Sequence, residues 1–397
     1  MKRQIHVVVF FINVGFYHAA RLRAAAMACD RVGWRLTAVQ LTNDTLAHPW
    51  GHTKQDTGFQ LITLINKISG ESMVKGLPQV SQGIVDQCIE SLKPDVVFLP
   101  GWWFELSRKV LRCIGRKNIP AVVMSESKRD DVPRIWWKER IKAWLYVKKF
   151  SAALVGSDLH ADYLCSLGIS RHYIFKGYDA VDNAHFKEAA NFARTHELEV
   201  RAKYQKMPQR PFFIVVLRLM PRKNVLRLLN AYIEYRANCT EIPWDIVICG
   251  DGEQSAVLEE AVCDNGLEDS FHMVGFLAYQ EVGHWYGLAA AFIHPALKEQ
   301  WGLVVNEACA AGLPILCSQT VGSRYDLVCE GKNGYIFDPT NVTDMAKCLL
   351  RVHAVGQDAR DRMGQESQNL VESCSPENFG SGLISATQVL YDVVTDE

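Results

Sequence analysis

An unbroken β-branched and aromatic run from Ile5 to Ile12 constrains this chain more than any other stretch. A strand with one wet face alternates apolar and polar residues. A run without alternation suits a strand buried on both faces, as in a parallel sheet covered by helices. Asn13-Val14-Gly15 then reads as a turn. A helix is expected from about Tyr17 to Val32, Gly33 closes it, and Arg35 to Leu41 is the next strand. That order is β-α-β, so the opening predicts an α/β fold on a doubly wound parallel sheet.

The pattern recurs along the chain. Helix Gln82 to Leu92 precedes strand Asp95 to Leu99; strands Ala121 to Met124 and Ala152 to Val155 follow, and Ile174 to Asp182 reads as a last short strand and loop. Thr42 to Ser81 shows no clear periodicity. From Asp182 to Gln209 the chain is polar, helical at best, and reads as an interdomain segment. Pro211 opens a second parallel pattern: strand Phe212 to Leu217, helix Val225 to Arg236, strand Trp244 to Cys249, and further alternation to about Leu350. With 397 residues there is room for two such domains. They are expected at 1–190 and 191–375, with a final helix in 376–397.

A formal net charge of −1 gives no global field for nucleic acid. The 12 cysteines form no C-x-x-C pair and no His/Cys cluster at metal-ligand spacing, which reads as reduced thiols in a cytoplasmic protein. Lys2, Arg3 and the apolar run after them imitate a signal peptide. The run stops at Asn13 without a convincing cleavage site, so it reads as the first strand. No apolar stretch reaches the roughly 18 residues of a membrane span.

Ligands of open parallel sheets bind at the carboxyl ends of strands. In the first half this singles out Gly15, His18 and Arg21, then Trp102 and Trp103, then the polar cluster Ser125 to Asp131 with Glu126. Gly15 suits close approach of phosphates or a simple turn. His18 and Arg21 suit an acceptor, a phosphate or a structural role. The tryptophans suit a sugar face or the core. In the second half, Arg218 and Lys223 follow a strand and precede a helix, where two cations can neutralise a diphosphate. Gly250-Asp251-Gly252 follows the next strand as a close-approach turn.

The segment Lys298 to Pro314 holds more. Strand-like residues Ala290 to His294 lead into it, Pro295 and Trp301-Gly302 interrupt it, and a short helix is expected from Leu303 until Gly312 and Pro314 stop it. Glu299 then sits in a loop and Glu307 inside the helix. The helix N-terminus between them favours an anion such as a diphosphate.

The run Glu299-x-Trp-Gly-Leu-Val-x-x-Glu307-Ala-x-Ala-x-Gly-Leu-Pro314 resembles the donor-site signature of the retaining glycosyltransferases of family four. Arg218-x-x-x-x-Lys223, Gly250-Asp-Gly, Val274-Gly-Phe-Leu277 and Asn333-Gly-Tyr-Ile-Phe-Asp-Pro339 stand in that family's order. The resemblance implies the GT-B architecture: two doubly wound parallel-sheet (Rossmann-like) domains facing across a cleft, with the last helix crossing back to the first. It implies transfer of a sugar from a nucleotide diphosphate-sugar, UDP favoured, to a hydroxyl of a saccharide, lipid-linked or small-molecule acceptor. The anomeric configuration is kept, with no metal and no cofactor.

By the same resemblance Arg218 and Lys223 bind the diphosphate, Glu299 the donor sugar and Glu307 the ribose. The N–H groups of Gly302, Leu303 and Val304 complete the cradle, Gly252 lies in a donor loop, Phe276 and Leu277 meet the base, and Gly15 matches a shortened glycine loop. Glu126 stands where many relatives carry a histidine. The competing functions are a sugar-nucleotide epimerase of similar architecture and a non-catalytic sugar-nucleotide binding protein.

Residues 134–150 read as a basic helix with Trp137, Ile141, Trp144, Leu145 and Lys148 on one face. It is either a domain helix with an apolar core face, or a peripheral contact on the inner face of the membrane.

Overall fold

The computed structural model describes residues 4–43, 58–65, 73–74 and 77–395. They divide into two compact units, Met1–Asp182 with Cys374–Glu397, and Asn183–Ser373.

The first unit runs β1 (His6–Phe11), α1 (Phe16–Arg31), β2 (Arg35–Thr42), β3 (Gln60–Ile65), the short pair β4 (Met73–Val74) and β5 (Leu77–Pro78), α2 (Gln82–Leu92), β6 (Val96–Pro100), α3 (Glu105–Gly115), β7 (Ala121–Ser125), α4 (Trp136–Leu145), β8 (Ala152–Val155), α5 (Asp158–Ser166) and β9 (Ile174–Lys176). Seven strands make one sheet in the order β3-β2-β1-β6-β7-β8-β9, and its pairings are parallel. Every residue of β1 is buried. Its pleat sends Val8 and Phe10 into one apolar layer and Val7, Val9 and Phe11 into the other, which is why the sequence shows no alternation. Strand order reverses between β1 and β6.

β3 lies inside the stretch that shows no periodicity. It is an edge strand paired only with β2 and is half-buried, so little of its pattern is enforced. Of that stretch, 44–57, 66–72 and 75–76 lie outside the described residues.

The second unit contains α6 (Asn183–Thr195), α7 (Glu197–Lys203), β10 (Phe212–Val216), α8 (Val225–Asn238), β11 (Asp245–Cys249), α9 (Ser255–Asp264), β12 (Phe271–Gly275), α10 (Tyr279–Leu288), β13 (Ala291–His294), α11 (Leu303–Ala310), β14 (Ile315–Ser318), α12 (Arg324–Leu327), β15 (Gly334–Phe337), α13 (Val342–Ala354) and α14 (Gln357–Val371). Its parallel sheet has the order β12-β11-β10-β13-β14-β15. The order reverses between β10 and β13. α15 (Pro376–Thr395) returns to the first unit, where Phe379, Leu383 and Ala386 share a core with Leu22 and Ala25 of α1.

The polar stretch after Asp182 is not a linker. α6 buries Phe186, Ala190 and Ala193. It lies so close to α10 that a Cβ on Gly287 would stand 2.5 Å from the Ala190 carbonyl oxygen and one on Gly283 2.6 Å from Ala189 Cβ. The contact surface is made of small residues, which leave a weak apolar signal in sequence. A boundary at 190 would cut this helix; the units part at Asp182.

Residues 134–150 form α4 and then a 3₁₀ turn, Val147–Lys149, rather than one helix. No residue of α4 is fully buried: only Ala143 packs partly against the core, and the segment's core contacts come after the helix, from Tyr146, Val147 and Phe150, so the expected core face of Trp137, Ile141, Trp144 and Leu145 is not formed.

Candidate active site in the second unit

The loops after β10 and β13 leave neighbouring strands at the reversal of strand order, where open α/β sheets leave room for ligands. After β10, Pro221–Lys223 makes a 3₁₀ turn ended by Asn224 in the left-handed region, at φ 65°. Buried Asn224 donates to the Pro295 carbonyl at 3.1 Å and the Pro339 carbonyl at 2.8 Å. Leu297 N–H donates to the Arg222 carbonyl at 2.8 Å. These bonds fix the Lys223 turn against the segment that carries Glu299.

Lys223 and Glu299 form an ion pair. Arg222 adds a second cation, its Nη1 3.8 Å from Glu299 Oε1. On the inner side, fully buried His294, the last residue of β13, lies with Nε2 3.3 Å from Glu299 Oε2. Burial alone would raise the Glu299 pKa, but the hydrogen bond to His294 and the charge of Lys223 outweigh it and bring it down to about 2. Burial also depresses Lys223, opposed by Glu299. Burial holds the His294 pKa below its usual 6.5, so the ring is neutral at pH 7 and donates through Nε2. Arg218 is exposed, and its charge is felt at Lys223.

Gly302 opens α11 at φ 99°. A Cβ there would stand 3.2 Å from Glu299 Cγ and 3.6 Å from His294 Nε2, so glycine is required for both the backbone and the space. The N–H groups of Gly302, Leu303 and Val304 belong to the first turn of this helix, where an α-helix has no acceptors of its own. Trp301 is buried and its indole donates to Asn306 at 2.8 Å, pinning that turn. Glu307 is buried inside α11 and accepts from the Tyr286 hydroxyl of α10 at 2.8 Å.

The remaining second-unit candidates lie on neighbouring strand ends. Gly252 closes on its own chain: a Cβ would stand 2.3 Å from the Leu219 carbonyl oxygen, and one on Gly250 1.8 Å from that of Leu217. These glycines shape the loop that carries Arg218. Phe276, exposed at 50%, and half-buried Leu277 follow β12, at the sheet edge.

In the first unit the candidates separate. Gly15 caps α1 and its N–H donates to His18 Nδ1 at 3.3 Å; a Cβ there would meet only that ring. Arg21 is buried, donates from Nε to the Ala180 carbonyl at 2.7 Å and lies 5.1 Å over the Tyr178 ring. Its Nη2 has no hydrogen-bond partner among the described residues. Half-buried Glu126 shares that neighbourhood: burial, and then its charge, push the Tyr178 phenol up. Trp102 is core at 3% exposure and Trp103 is 68% exposed, so the two tryptophans do not form one sugar platform.

Residues 197–370 match the family described as Glycosyl transferases group 1. This segment is a group 1 glycosyl transferase domain. It contains Arg218, Lys223, His294, Glu299 and Glu307. Alpha-monoglucosyldiacylglycerol synthase of Acholeplasma laidlawii is 29% identical over 144 residues, 35% of this chain and 34% of that protein. Probable sucrose-phosphate synthase 5 of Oryza sativa subsp. japonica is 32% identical over 164 residues, 37% of this chain and 16% of that one. The matches thus span about a third of one relative and about a sixth of the other.

Solved structures resemble the chain over nearly its full length. A glycosyltransferase from Rickettsia africae superposes at TM-score 0.75 and 13% identity, covering 99% of this chain and all of that one. Anabaena HepE, crystallised with UDP and glucose, superposes at TM-score 0.68 and 14% identity, with 99% and 100% covered. The likeness shows the GT-B fold.

The sequence reading missed three contributors. His294 looked like the last apolar-strand residue, although it obeys the same strand-end rule that found Arg218. Arg222 and Asn224 flank Lys223 in the stretch that begins at Arg218. Their signal was position, one residue on either side of Lys223.

Proposed function

We propose that this chain is a retaining glycosyltransferase that moves a sugar from a nucleotide diphosphate-sugar, UDP-sugars favoured, to a hydroxyl acceptor. The observation that carries the proposal is the Lys223–Glu299–His294 arrangement beside the α11 N-terminus. Lys223, Arg222 and Arg218 bring three positive charges to one carboxylate, which leaves the loop cluster cationic and fit for a diphosphate. HepE, with UDP and glucose bound, lends support by its fold.

In this reading the cations and the first-turn N–H groups of α11 take up the charge of the departing diphosphate. Glu299, kept ionised by His294 and Lys223, accepts hydrogen bonds from donor-sugar hydroxyls. Glu307 holds the ribose, its carboxylate oriented by Tyr286. A phosphate oxygen of the leaving group removes the acceptor proton on the face it departs from, so configuration is retained without a protein nucleophile. Metal independence belongs to the same proposal, because three side-chain cations stand at the leaving group. The polar residues around Tyr178, with Glu126, are the proposed acceptor side.

The proposal sets the enzyme in the cytoplasm, in keeping with 12 free and mostly buried thiols. Among the described residues no helix is long and apolar enough to cross a membrane. Peripheral contact with its inner face is proposed through 134–150.

Thermal denaturation with UDP-, GDP- and ADP-sugars tests the donor class. A ligand at a hundred times its Kd adds about 2.7 kcal/mol to the folded state, so the melting temperature should rise by several degrees with UDP-sugars. No rise with any of the three contradicts the proposal. Product analysis separates transfer from epimerisation, which needs no acceptor.

A further inference from the structure

α4 is amphipathic with its polar side inward. A domain helix turns its apolar stripe to the core. Here Trp136, Trp137, Ile141 and Trp144 are exposed at 73%, 48%, 49% and 69%. The side facing the protein is ionic apart from Ala143, which packs against the core. Glu139 accepts from the Lys142 ammonium at 2.6 Å and from the Tyr163 hydroxyl of α5 at 2.5 Å, and the Arg134 guanidinium lies 4.4 Å over the Tyr163 ring. Tyr163 itself is buried. The helix is therefore fixed to α5 by a polar cluster, and its tryptophans have no core to enter.

Exposed Trp103 extends the apolar surface beyond the helix, joined to it through half-buried Tyr146, which also packs on the core. Tyr146, which follows α4, has its ring 6.4 Å from that of exposed Trp103 in the loop after β6. Around the patch Lys138, Arg140, Lys148 and Lys149 are exposed. Lys142 is not part of this charge, because Glu139 and Tyr163 hold it inward.

We propose that α4 and the Trp103 loop form one anchor for the headgroup region of an anionic bilayer, and that Trp103 serves this anchor rather than sugar stacking. The inference deepens the peripheral contact proposed above. Tryptophan and tyrosine favour the membrane interface, and the flanking cations complement anionic lipid. The interfaces of protein partners are instead depleted in lysine. The Trp103 loop leaves β6 at the reversal of strand order next to β1, so the anchor borders the ligand-binding edge of the first unit. If the glycosyl-transfer proposal also holds, the acceptor is met at headgroup level.

Flotation of the full chain with vesicles of phosphatidylglycerol and phosphatidylcholine tests the anchor without any sugar or nucleotide. A failed transfer assay therefore leaves the result untouched. The wild type should float at low salt and less so as salt rises, since screening acts over about 10 Å at 0.1 M. K138Q/R140Q/K148Q/K149Q should lower low-salt partitioning roughly 10²-fold or more. W136S/W137S/W144S should abolish it at every salt concentration, with an unchanged circular dichroism spectrum. A wild type that stays unbound at low salt, or a triple-tryptophan variant that floats equally, overturns the proposal. So does a wild-type dimer that the tryptophan variant dissociates while neither protein floats.

Discussion

His294 holds Glu299 from inside the fold. Its Nε2 lies 3.3 Å from the Glu299 carboxylate, while its Nδ1 is buried with no hydrogen-bond partner among the described residues. A neutral ring must therefore keep its proton on Nε2, and that proton fixes the carboxylate. Gln places an amide N–H where Nε2 stands; Leu does not. His294→Leu should lower turnover about 10- to 10²-fold, the value of a hydrogen bond to a charged group, and His294→Gln should restore most of it. Burial depresses the His294 pKa, so below pH 6.5 the unfolded chain binds the extra proton more readily. Stability should fall as pH drops through that range, and the Leu variant should lose this part of the dependence. Denaturant titration at several pH values reads it directly.

Lys223 is the cation nearest the carboxylate and is mostly buried. Lys223→Ala should lower turnover about 10²-fold or more, as for loss of a charged transition-state contact. Burial depresses its pKa, so the alkaline limb of the wild-type rate profile should begin below 10.5. Lys223→Arg, which does not titrate there, should move that limb upward. Wild-type activity should survive EDTA; full loss restored by magnesium would count against metal-free transfer.

The α6–α10 contact tolerates no added methyl group. Gly287→Ala puts a Cβ 2.5 Å from the Ala190 carbonyl oxygen. It should destabilise the second unit by about 1–3 kcal/mol, read as a lower urea midpoint with little change in slope.

The strands were legible because burial on both faces leaves no alternation: β1, β6, β10 and β11 show it plainly. So were Gly302 and Gly312, which adopt the left-handed backbone at the ends of α11. α6 was not, because Ala190 and Ala193 make its contact by smallness rather than hydrophobicity. The same limit hid the site's internal pairing. Lys223 and Glu299 are 76 residues apart, and only the β10–β13 adjacency brings them together. Arg21 and Trp102 sit at strand-end loops or the helix after one, yet point into the core. Location at a strand end selects a neighbourhood; side-chain direction decides the role.

Calorimetric titration of UDP into the wild type, Glu299→Gln and Glu307→Gln tests the assignment of the second-unit site most directly. If Glu307 holds the ribose and Glu299 the sugar, Glu307→Gln should weaken UDP binding about tenfold or more. Glu299→Gln should bind UDP nearly as well as the wild type while transfer falls. Equal loss of UDP affinity in both variants, or no UDP binding by the wild type, would contradict it.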